Sequence, residues 1–350
     1  MAGSLKIVGD GLAACCATHL LRQYGFDVSA PDRAGPRRAT LLLGAQTQSM
    51  LRDVFGHLAV LRAAPRIRKR IVCWGPPGAE TVELPHAGAV VAERELLDEI
   101  WEQTRNPEDS GPSGPPAHPT QSWTLISSPG DPRLEPPSAF GSRLAWFAPA
   151  QLVAGAQGEC CWIESAPQGW LFLLPAGEGR GVLIGCGGDG AELLRTSRLV
   201  ARQLSGLELS AALLARHPAY PAIRPEVSGE RWLACGSAAM NFDPLCGEGA
   251  GHALREAILA AAVLRAIARG EPEESLLTHY SNRLKRGFLR HLRVCVPFYE
   301  AGWNSPFWKA EAAELQRGIS LMEGWLRHTG DFAYRLVGYN LEALTAAASS

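Results

Sequence analysis

The segment 233-LACGSAAMNFDPLCGEGAGHALREA-257 sets a glycine-rich loop between an apolar strand pattern and an alanine-rich helical pattern. Gly247, Gly249 and Gly251 lie at the start of the helix, and Pro244 precedes them. Glycine lets backbone N–H groups approach a ligand closely, and a helix N-terminus adds about half a positive charge there. A tight turn without a ligand needs only one glycine, so the loop favours a cradle for an electron-rich ligand.

A second glycine motif lies at the N-terminus. The apolar strand pattern LKIV is followed by GDGLAA and by a helical pattern that ends at a glycine. Gly9, Gly11 and Ala14 match the G-x-G-x-x-G/A spacing, which combines a tight turn, a close approach to pyrophosphate and helix packing on the strand. Asp32 lies 23 residues after Gly9, where a carboxylate can accept hydrogen bonds from ribose hydroxyls. This βαβ unit predicts dinucleotide binding.

The charge balance excludes several classes of partner. The 350 residues include 34 basic and 35 acidic side chains, which create no field that attracts nucleic acid or an anionic membrane. The N-terminus lacks the pattern of a signal peptide, and the sequence has no run of about 18 apolar residues. We therefore expect a cytoplasmic protein with no membrane span and no nucleic-acid partner.

The nine cysteines favour neither a metal site nor a disulfide. They occur as Cys15-Cys16, Cys160-Cys161 and five single residues, with no CxxC motif or Cys/His metal spacing. We expect reduced and mostly buried side chains that act as small apolar residues. The sequence therefore predicts no metal ligands.

The two glycine motifs together resemble those of the FAD-dependent aromatic hydroxylases and flavin-dependent halogenases. In that family the N-terminal motif holds the ADP half of FAD, and a later motif, GDAAxxxxPxxGxGxN, holds the ribityl chain and the flavin ring. The later motif here reads GSAAMNFDPLCGEGAG, with Ser237 in place of the family's Asp and Gly251 in place of its Asn. The resemblance implies FAD as the cofactor. The hydroxyl at Ser237 implies weaker binding than a carboxylate would give.

The resemblance also implies which residues bind FAD. Arg38 and Gln46 are polar candidates beside the cofactor, although a solvated helix start would explain them equally well. Arg94 corresponds to an arginine that begins a helix near the flavin edge. The implied set is Gly9, Gly11, Ala14, Asp32, Arg38, Gln46, Arg94, Gly236, Ser237, Pro244, Gly247, Glu248, Gly249 and Ala250.

The predicted fold class is α/β. The resemblance implies a glutathione-reductase-type Rossmann-like FAD-binding domain, a β-sheet substrate domain and a C-terminal helical region. The predicted boundaries are residues 1–60, 88–135 and 230–270 for a discontinuous FAD-binding domain, 61–87 and 136–229 for a β-rich substrate domain, and 271–350 for a C-terminal helical cap.

The chemistry is expected to come mainly from the flavin, since a reduced flavin can activate oxygen for insertion into an electron-rich ring. The resemblance implies an FAD-dependent monooxygenase, an oxidoreductase that hydroxylates an aromatic ring. The sequence has no second GxGxxG, so NAD(P)H would bind transiently or a separate reductase would supply electrons.

Three titratable groups near the loop are candidates to move a substrate proton: Asp243, Glu248 and His252. Each also has a structural explanation, because Asp243 can cap a turn, Glu248 can face solvent and His252 can fill a helix–sheet interface. Trp170 is a candidate to stack on a substrate ring, whereas Trp162 is expected in the core.

The choice among related activities rests on further resemblance. The halogenase segment W-x-W-x-I-P and its lysine are not found, which disfavours halogenation. Residues 242–254 and 298–308 look more like the small flavoproteins that mature quinone cofactors. Those proteins hydroxylate a tryptophan in a partner protein or peptide of an amine or amino-acid oxidase system.

This resemblance implies a protein substrate, a quinone-cofactor oxidase precursor, that docks on the aromatic residues of 298–308. A small-molecule aromatic hydroxylase or another FAD-dependent oxidoreductase stays open. A non-catalytic flavin-binding maturation partner also stays open.

Overall fold

The structure is a computed structural model that describes residues 3–30, 40–105, 122–207 and 216–344. The helices are α1 (Leu12–Gln23), α2 (Ala45–Phe55), α3 (Ala59–Ala63), α4 (Glu93–Arg105), α5 (Gly190–Thr196), α6 (Gly249–Ala268), α7 (Glu273–Glu300) and α8 (Pro306–Leu326). The strands are β1 (Ser4–Val8), β2 (Asp27–Ser29), β3 (Thr40–Gly44), β4 (Arg66–Cys73), β5 (Thr81–Ala92), β6 (Trp123–Ile126), β7 (Ser138–Ala139), β8 (Leu144–Leu152), β9 (Cys160–Ala166), β10 (Gly169–Gly177), β11 (Arg180–Gly187), β12 (Leu204–Leu207), β13 (His217–Pro218), β14 (Ala222–Ile223), β15 (Ser228–Gly229), β16 (Trp232–Ala234), β17 (Met240–Asn241), β18 (Tyr334–Val337) and β19 (Asn340–Ala343).

A five-stranded sheet carries both glycine motifs. Its order is β15-β16-β6-β1-β2, and all neighbours except β15 and β16 are parallel. Leu5 and Ile7 alternate with exposed residues in β1 and are buried, as expected for a strand with one face in the core. The helix α1 connects the adjacent parallel strands β1 and β2. The predicted βαβ unit and the α/β fold class are therefore confirmed.

A larger sheet has the order β12-β8-β11-β10-β9-β4-β5-β3, with β13 paired to β8. Its neighbours are antiparallel except for β4 and β9. All of β9 and the first seven residues of β10 are buried, because both faces of the sheet are covered. Trp170 faces the main core, and Trp162 belongs to a second core on the other face. The predicted burial of Trp162 is confirmed.

The C-terminal region differs from the predicted helical cap. The helices α7 and α8 are present, but the chain then forms the hairpin β18–β19, in which Tyr334 pairs with Ala343. Gly338, with φ +58°, lies in the two-residue connection, where glycine adopts the left-handed conformation without strain. Residues of β3 fall within the predicted FAD-binding segment 1–60, but this strand pairs with β5 in the larger sheet. The domain boundaries remain a prediction.

Within the ranges given above, no helix combines the length and apolar character needed to cross a bilayer.

Candidate functional site

The site lies where three adjacent parallel strands end together. In the five-stranded sheet, Ile126 of β6 lies opposite both Val8 of β1 and Ala234 of β16. The carboxyl ends of parallel strands form the edge at which α/β sheets bind ligands. The loops that follow β1 and β16 contain the two glycine motifs, so the fold brings the motifs to one edge.

Close backbone contacts join these loops. A Cβ on Gly9, which has φ +110°, would clash with the hydroxyl oxygen of Ser127 after β6. A Cβ on Gly236, which has φ +57°, would lie 2.9 Å from the Cβ of Ala13 at the start of α1. The hydroxyl of Ser237 donates to the carbonyl oxygen of Ser127 at 3.1 Å. Both glycines are therefore required by backbone conformation and by close packing.

The start of α1 has no side-chain cap among the described residues. Gly11 is the extended N-cap residue. Uncapped N–H groups at a helix start form a ready site for an anion. Ala14 is fully buried, as expected for the small third residue of the motif.

A buried carboxyl supports the second motif from α6. An oxygen of Glu256 accepts a hydrogen bond from the backbone N–H of Gly236 at 2.7 Å. Burial raises the pKa of Glu256 to about 8, so the carboxyl is mostly protonated at neutral pH. The hydroxyl of Tyr280 donates to the carbonyl of Ala234 at 2.6 Å. These contacts hold the end of β16 rigidly.

The glycine-rich loop continues through a short 3-10 turn, Pro244–Cys246, to Gly247 in the left-handed conformation and then into α6. Asp243 caps this turn, since its carboxylate accepts from the N–H of Leu245 at 2.9 Å. The expectation that Asp243 serves as a turn cap is confirmed.

Asp243 also belongs to a buried ionic network. Its carboxylate accepts from the guanidinium of Arg143 at 2.5 Å, and Arg143 also donates to Glu311 of α8. The guanidinium lies 4.3 Å from the ring centre of Tyr299, whose hydroxyl accepts from the indole N–H of Trp170 at 3.3 Å. All of these side chains are buried. The network therefore fixes the loop against the large sheet and the C-terminal helices.

The start of α6 has open space at Gly249 among the described residues. No described heavy atom lies within 4 Å of a Cβ placed on Gly249, and no described side chain caps the helix at Glu248. Ala250 is half-buried in the first turn. A Cβ on Gly251 would lie 2.7 Å from the hydroxyl of Thr47 in α2, so a larger residue at this position would require α2 or the helix start to move.

The other two proton-transfer candidates have other contacts. Glu248 forms an ion pair with Arg255 at 3.4 Å and is half-buried, so it does not simply face solvent. The ring of His252 stacks on Phe242 with centroids 3.6 Å apart. Burial, followed by the charge of Arg255, lowers the pKa of His252 to about 3, so the ring is neutral at pH 7.

The remaining predicted cofactor contacts have less structural support. Gln46 is exposed in the first turn of α2. Arg94 is exposed in the first turn of α4 and lies 3.7 Å from Asp98. Asp32 and Arg38 lie outside the described residues. The roles of these four residues stay predictions.

Two predictions about aromatic side chains need correction. Trp170 has no exposed surface, so its ring is not available to a substrate in this conformation. Trp303 and Trp308 donate to the carbonyls of Ser165 and Ala166 at 3.1 and 2.8 Å, and so pack on β9. Trp308 is buried and Trp303 is half-buried, and both indoles hold the α7–α8 connection against the large sheet.

The sequence did not single out the basic pair Arg70 and His86. Arg70 on β4 places a nitrogen 3.5 Å from a Cβ built on Gly247, and the same nitrogen lies 3.5 Å from His86 on β5. Burial, with the charge of Arg70, lowers the pKa of His86 to about 4. Sequence alone does not identify Arg70, because β4 contains four basic residues and only the fold shows which of them reaches the glycine-rich loop.

The residues present fit FAD. The uncapped starts of α1 and α6 offer backbone N–H groups to pyrophosphate and to the electron-rich edge of a flavin. The Nε atom of Arg70 is buried and has no hydrogen-bond partner among the described residues. The terminal guanidinium nitrogen of Arg70 that lies beside Gly247 adds a positive charge at the loop, which suits an acceptor-rich ring.

No protein-family model matches the sequence, and no curated protein matches it at a significant level. Solved structures do share its fold. The peptidyl tryptophan dihydroxylase QhpG, essential for tryptophylquinone cofactor biogenesis, is 18% identical, with 98% of this chain and 86% of that chain covered and a TM-score of 0.70. The flavin-dependent halogenase CmlS is 16% identical, with 92% of this chain and 70% of that chain covered and a TM-score of 0.70.

HpxO of Klebsiella pneumoniae, solved with FAD and uric acid, is 15% identical, with 93% of this chain and 96% of that chain covered and a TM-score of 0.61. The chain therefore has the fold of the flavin-dependent halogenases and related hydroxylases. The predicted resemblance is confirmed at the level of the fold.

Proposed function

We propose that this protein is an FAD-dependent monooxygenase that hydroxylates an aromatic ring. The convergence of two glycine motifs at one sheet edge, in a fold shared with flavin-dependent enzymes, carries the proposal. Bound FAD would supply the activation of dioxygen, and the protein would supply binding, orientation and charge.

The chain would hold the cofactor at two ends. The backbone of residues 9–14 would bind the pyrophosphate, and the start of α6 at Gly249 and Ala250 would direct its partial positive charge at the flavin. Arg70 adds a fixed cation at the same loop. The hydroxyl of Ser237 donates to Ser127, but its lone pairs stay available to accept from a ribityl hydroxyl.

None of the titratable groups described near the loop is a strong proton acceptor. His86 is half-buried beside Arg70, but its Nε2 atom lies 3.5 Å from the guanidinium, and its pKa of about 4 makes the neutral ring a weak base at pH 7. The carboxylate of Asp243 already accepts from Arg143 and from the N–H of Leu245.

We further propose that the ring is a tryptophan held in a partner protein or peptide, as in quinone-cofactor maturation. The similarity to QhpG over 98% of this chain supports this choice. Val294 and Phe298 are 49% and 47% exposed and lie four residues apart on α7, so they form an apolar patch at the surface. Phe298 belongs to the predicted docking segment 298–308, and we assign docking to this patch because Trp308 of that segment is buried.

The activity can be tested with the purified protein reconstituted with FAD and supplied with NAD(P)H or a general flavin reductase. The protein is incubated separately with a quinone-cofactor oxidase precursor, a tryptophan-containing peptide and free tryptophan. Mass spectrometry should detect added oxygen in the precursor or the peptide. The matched control is the same peptide with phenylalanine in place of tryptophan. Modification of free tryptophan with equal efficiency would favour the small-molecule hydroxylase. FAD binding without oxygen insertion into any aromatic substrate would favour the non-catalytic maturation partner.

A further inference from the structure

Two cysteines and a histidine meet beneath the glycine-rich loop. Cys246 ends the 3-10 turn, while His291 and Cys295 lie four residues apart and therefore on one face of α7. The sulfur atoms of Cys246 and Cys295 are 3.7 Å apart, and the Cys295 sulfur is 3.4 Å from Nε2 of His291. One donor atom from each residue lies within 4.8 Å of the other two.

The Cys246–Cys295 and Cys295–His291 separations match those of ligands around a tetrahedral metal. Two thiolates bound to zinc at about 2.3 Å lie roughly 3.8 Å apart, and a thiolate and an imidazole nitrogen lie roughly 3.5 Å apart. The sulfur–sulfur separation is much longer than the ~2.05 Å of a disulfide. Two of the three donor pairs thus already have the separations of a metal site, and the third pair lies within 4.8 Å.

The surrounding charges favour a bound cation. Asp243 and Glu311 carry two negative charges and Arg143 one positive charge, all buried, and Asp243 is joined directly to the cluster through His291. Two additional thiolates would leave the region with an uncompensated buried negative charge, which is costly. A divalent cation would offset both thiolates.

We propose that Cys246, His291 and Cys295 form a binding site for a thiophilic divalent cation of the zinc class, which joins the glycine-rich loop to α7. Soft thiolates together with an imidazole are the donors that such ions select. The sequence predicted no metal site, because His291 and Cys295 form no CxxC motif and the third ligand, Cys246, is 45 residues away from His291. The site is independent of the proposed enzymatic function, since its ligands need neither flavin nor substrate.

Metal binding would change one hydrogen bond in the structure. The N–H of Asp243 now donates to Nε2 of His291 at 2.9 Å, and a metal at Nε2 would replace this bond with a coordinate bond. Three protein ligands would leave the fourth tetrahedral position to water.

The test is titration of the reduced, metal-free and flavin-free full-length protein with Co²⁺ without oxygen. The site predicts one bound Co²⁺ per chain, with a sulfur-to-cobalt charge-transfer band and the intense visible bands of tetrahedral cobalt. Zn²⁺ should displace the cobalt. Cys295→Ser and Cys246→Ser should each weaken the charge-transfer band and binding, whereas Cys73→Ser, which replaces another half-buried cysteine, should leave both unchanged.

Circular dichroism would show whether each variant is folded. If Cys295→Ser does not fold, the loop variant Cys246→Ser still tests the site. Absence of cobalt binding by the folded reduced protein would overturn the proposal, and so would an unchanged cobalt spectrum in folded Cys246→Ser. Recovery of Cys246 and Cys295 as a disulfide in air, with no metal uptake by the reduced protein, would instead identify a redox pair.

Discussion

A Cβ atom on Gly236 would lie 2.9 Å from the Cβ of Ala13, so the two glycine motifs meet at the carboxyl edge of the parallel sheet. Gly236 also has φ +57°, a conformation that disfavours other residues. The later motif thus depends on the helix that follows the N-terminal motif. One ligand held by both motifs would require this contact.

Gly236→Ala should lower both stability and flavin binding. The left-handed backbone alone costs about 1–2 kcal/mol for an L-residue, and the contact with Ala13 adds to this. Gly270→Ala is the matched control, because Gly270 has φ +88° with open space around its Cβ among the described residues. Urea unfolding and flavin content measure the two effects. Equal stability losses and full flavin retention in both variants would contradict the packing described.

Glu256 should make stability depend on pH. Its pKa is about 8 in the folded chain against an ordinary value of 4.5, so between these values the folded chain keeps a proton that the unfolded chain releases. The free energy of unfolding should therefore fall as pH rises from about 4.5 to 8, by up to about 1.4 kcal/mol per pH unit from this group.

Glu256→Gln, which keeps an oxygen acceptor for the N–H of Gly236, should flatten this dependence. Urea unfolding of both proteins at pH 6 and pH 8 makes the comparison. An identical pH dependence in the two proteins would mean that Glu256 is ionised in the folded state.

The buried network predicts a structural role for Arg143. Arg143→Met would leave Asp243 and Glu311 buried without their cation and should reduce stability by about 3–5 kcal/mol. The control Arg335→Met removes an exposed ion pair with Glu342 and should cost less than about 1 kcal/mol. Chemical unfolding measures both. Similar small losses would show that the network is not needed for the fold.

The aromatic residues near the α7–α8 connection should separate into two groups. Trp308→Ala should reduce stability by about 3–5 kcal/mol, because the side chain is buried and its indole donates to Ala166. Phe298→Ala should change stability little, since the side chain is 47% exposed, but should weaken modification of a protein substrate. Thermal unfolding and the precursor assay give the two readouts. Normal modification of the precursor by Phe298→Ala would exclude this patch as the docking surface.

The sequence was most informative where local patterns determine structure. The strand, glycine turn and helix around Gly9 to Ala14 are adjacent in the chain, and the structure contains them as predicted. The turn-capping role of Asp243 is also local, since its partner Leu245 is two residues away. The fold class follows from these patterns together with the family resemblance.

Contacts between distant residues were not predictable in the same way. Arg143 and Asp243 are 100 residues apart, and nothing in either local sequence indicates their ion pair. Burial of Trp170 and Trp308 follows from how the large sheet and the C-terminal helices cover each other. The Cys246–Cys295 contact likewise requires the loop to meet α7.

We propose that both glycine motifs bind one FAD molecule. The most direct measurement is a titration of the flavin-free protein with FAD, followed by fluorescence or calorimetry, for the wild type, Gly11→Val and Gly236→Ala. We expect one FAD per chain for the wild type and at least tenfold weaker binding for each variant, since about 1.4 kcal/mol is a tenfold change. No binding by the folded wild-type protein, or unchanged affinity in both variants, would contradict it.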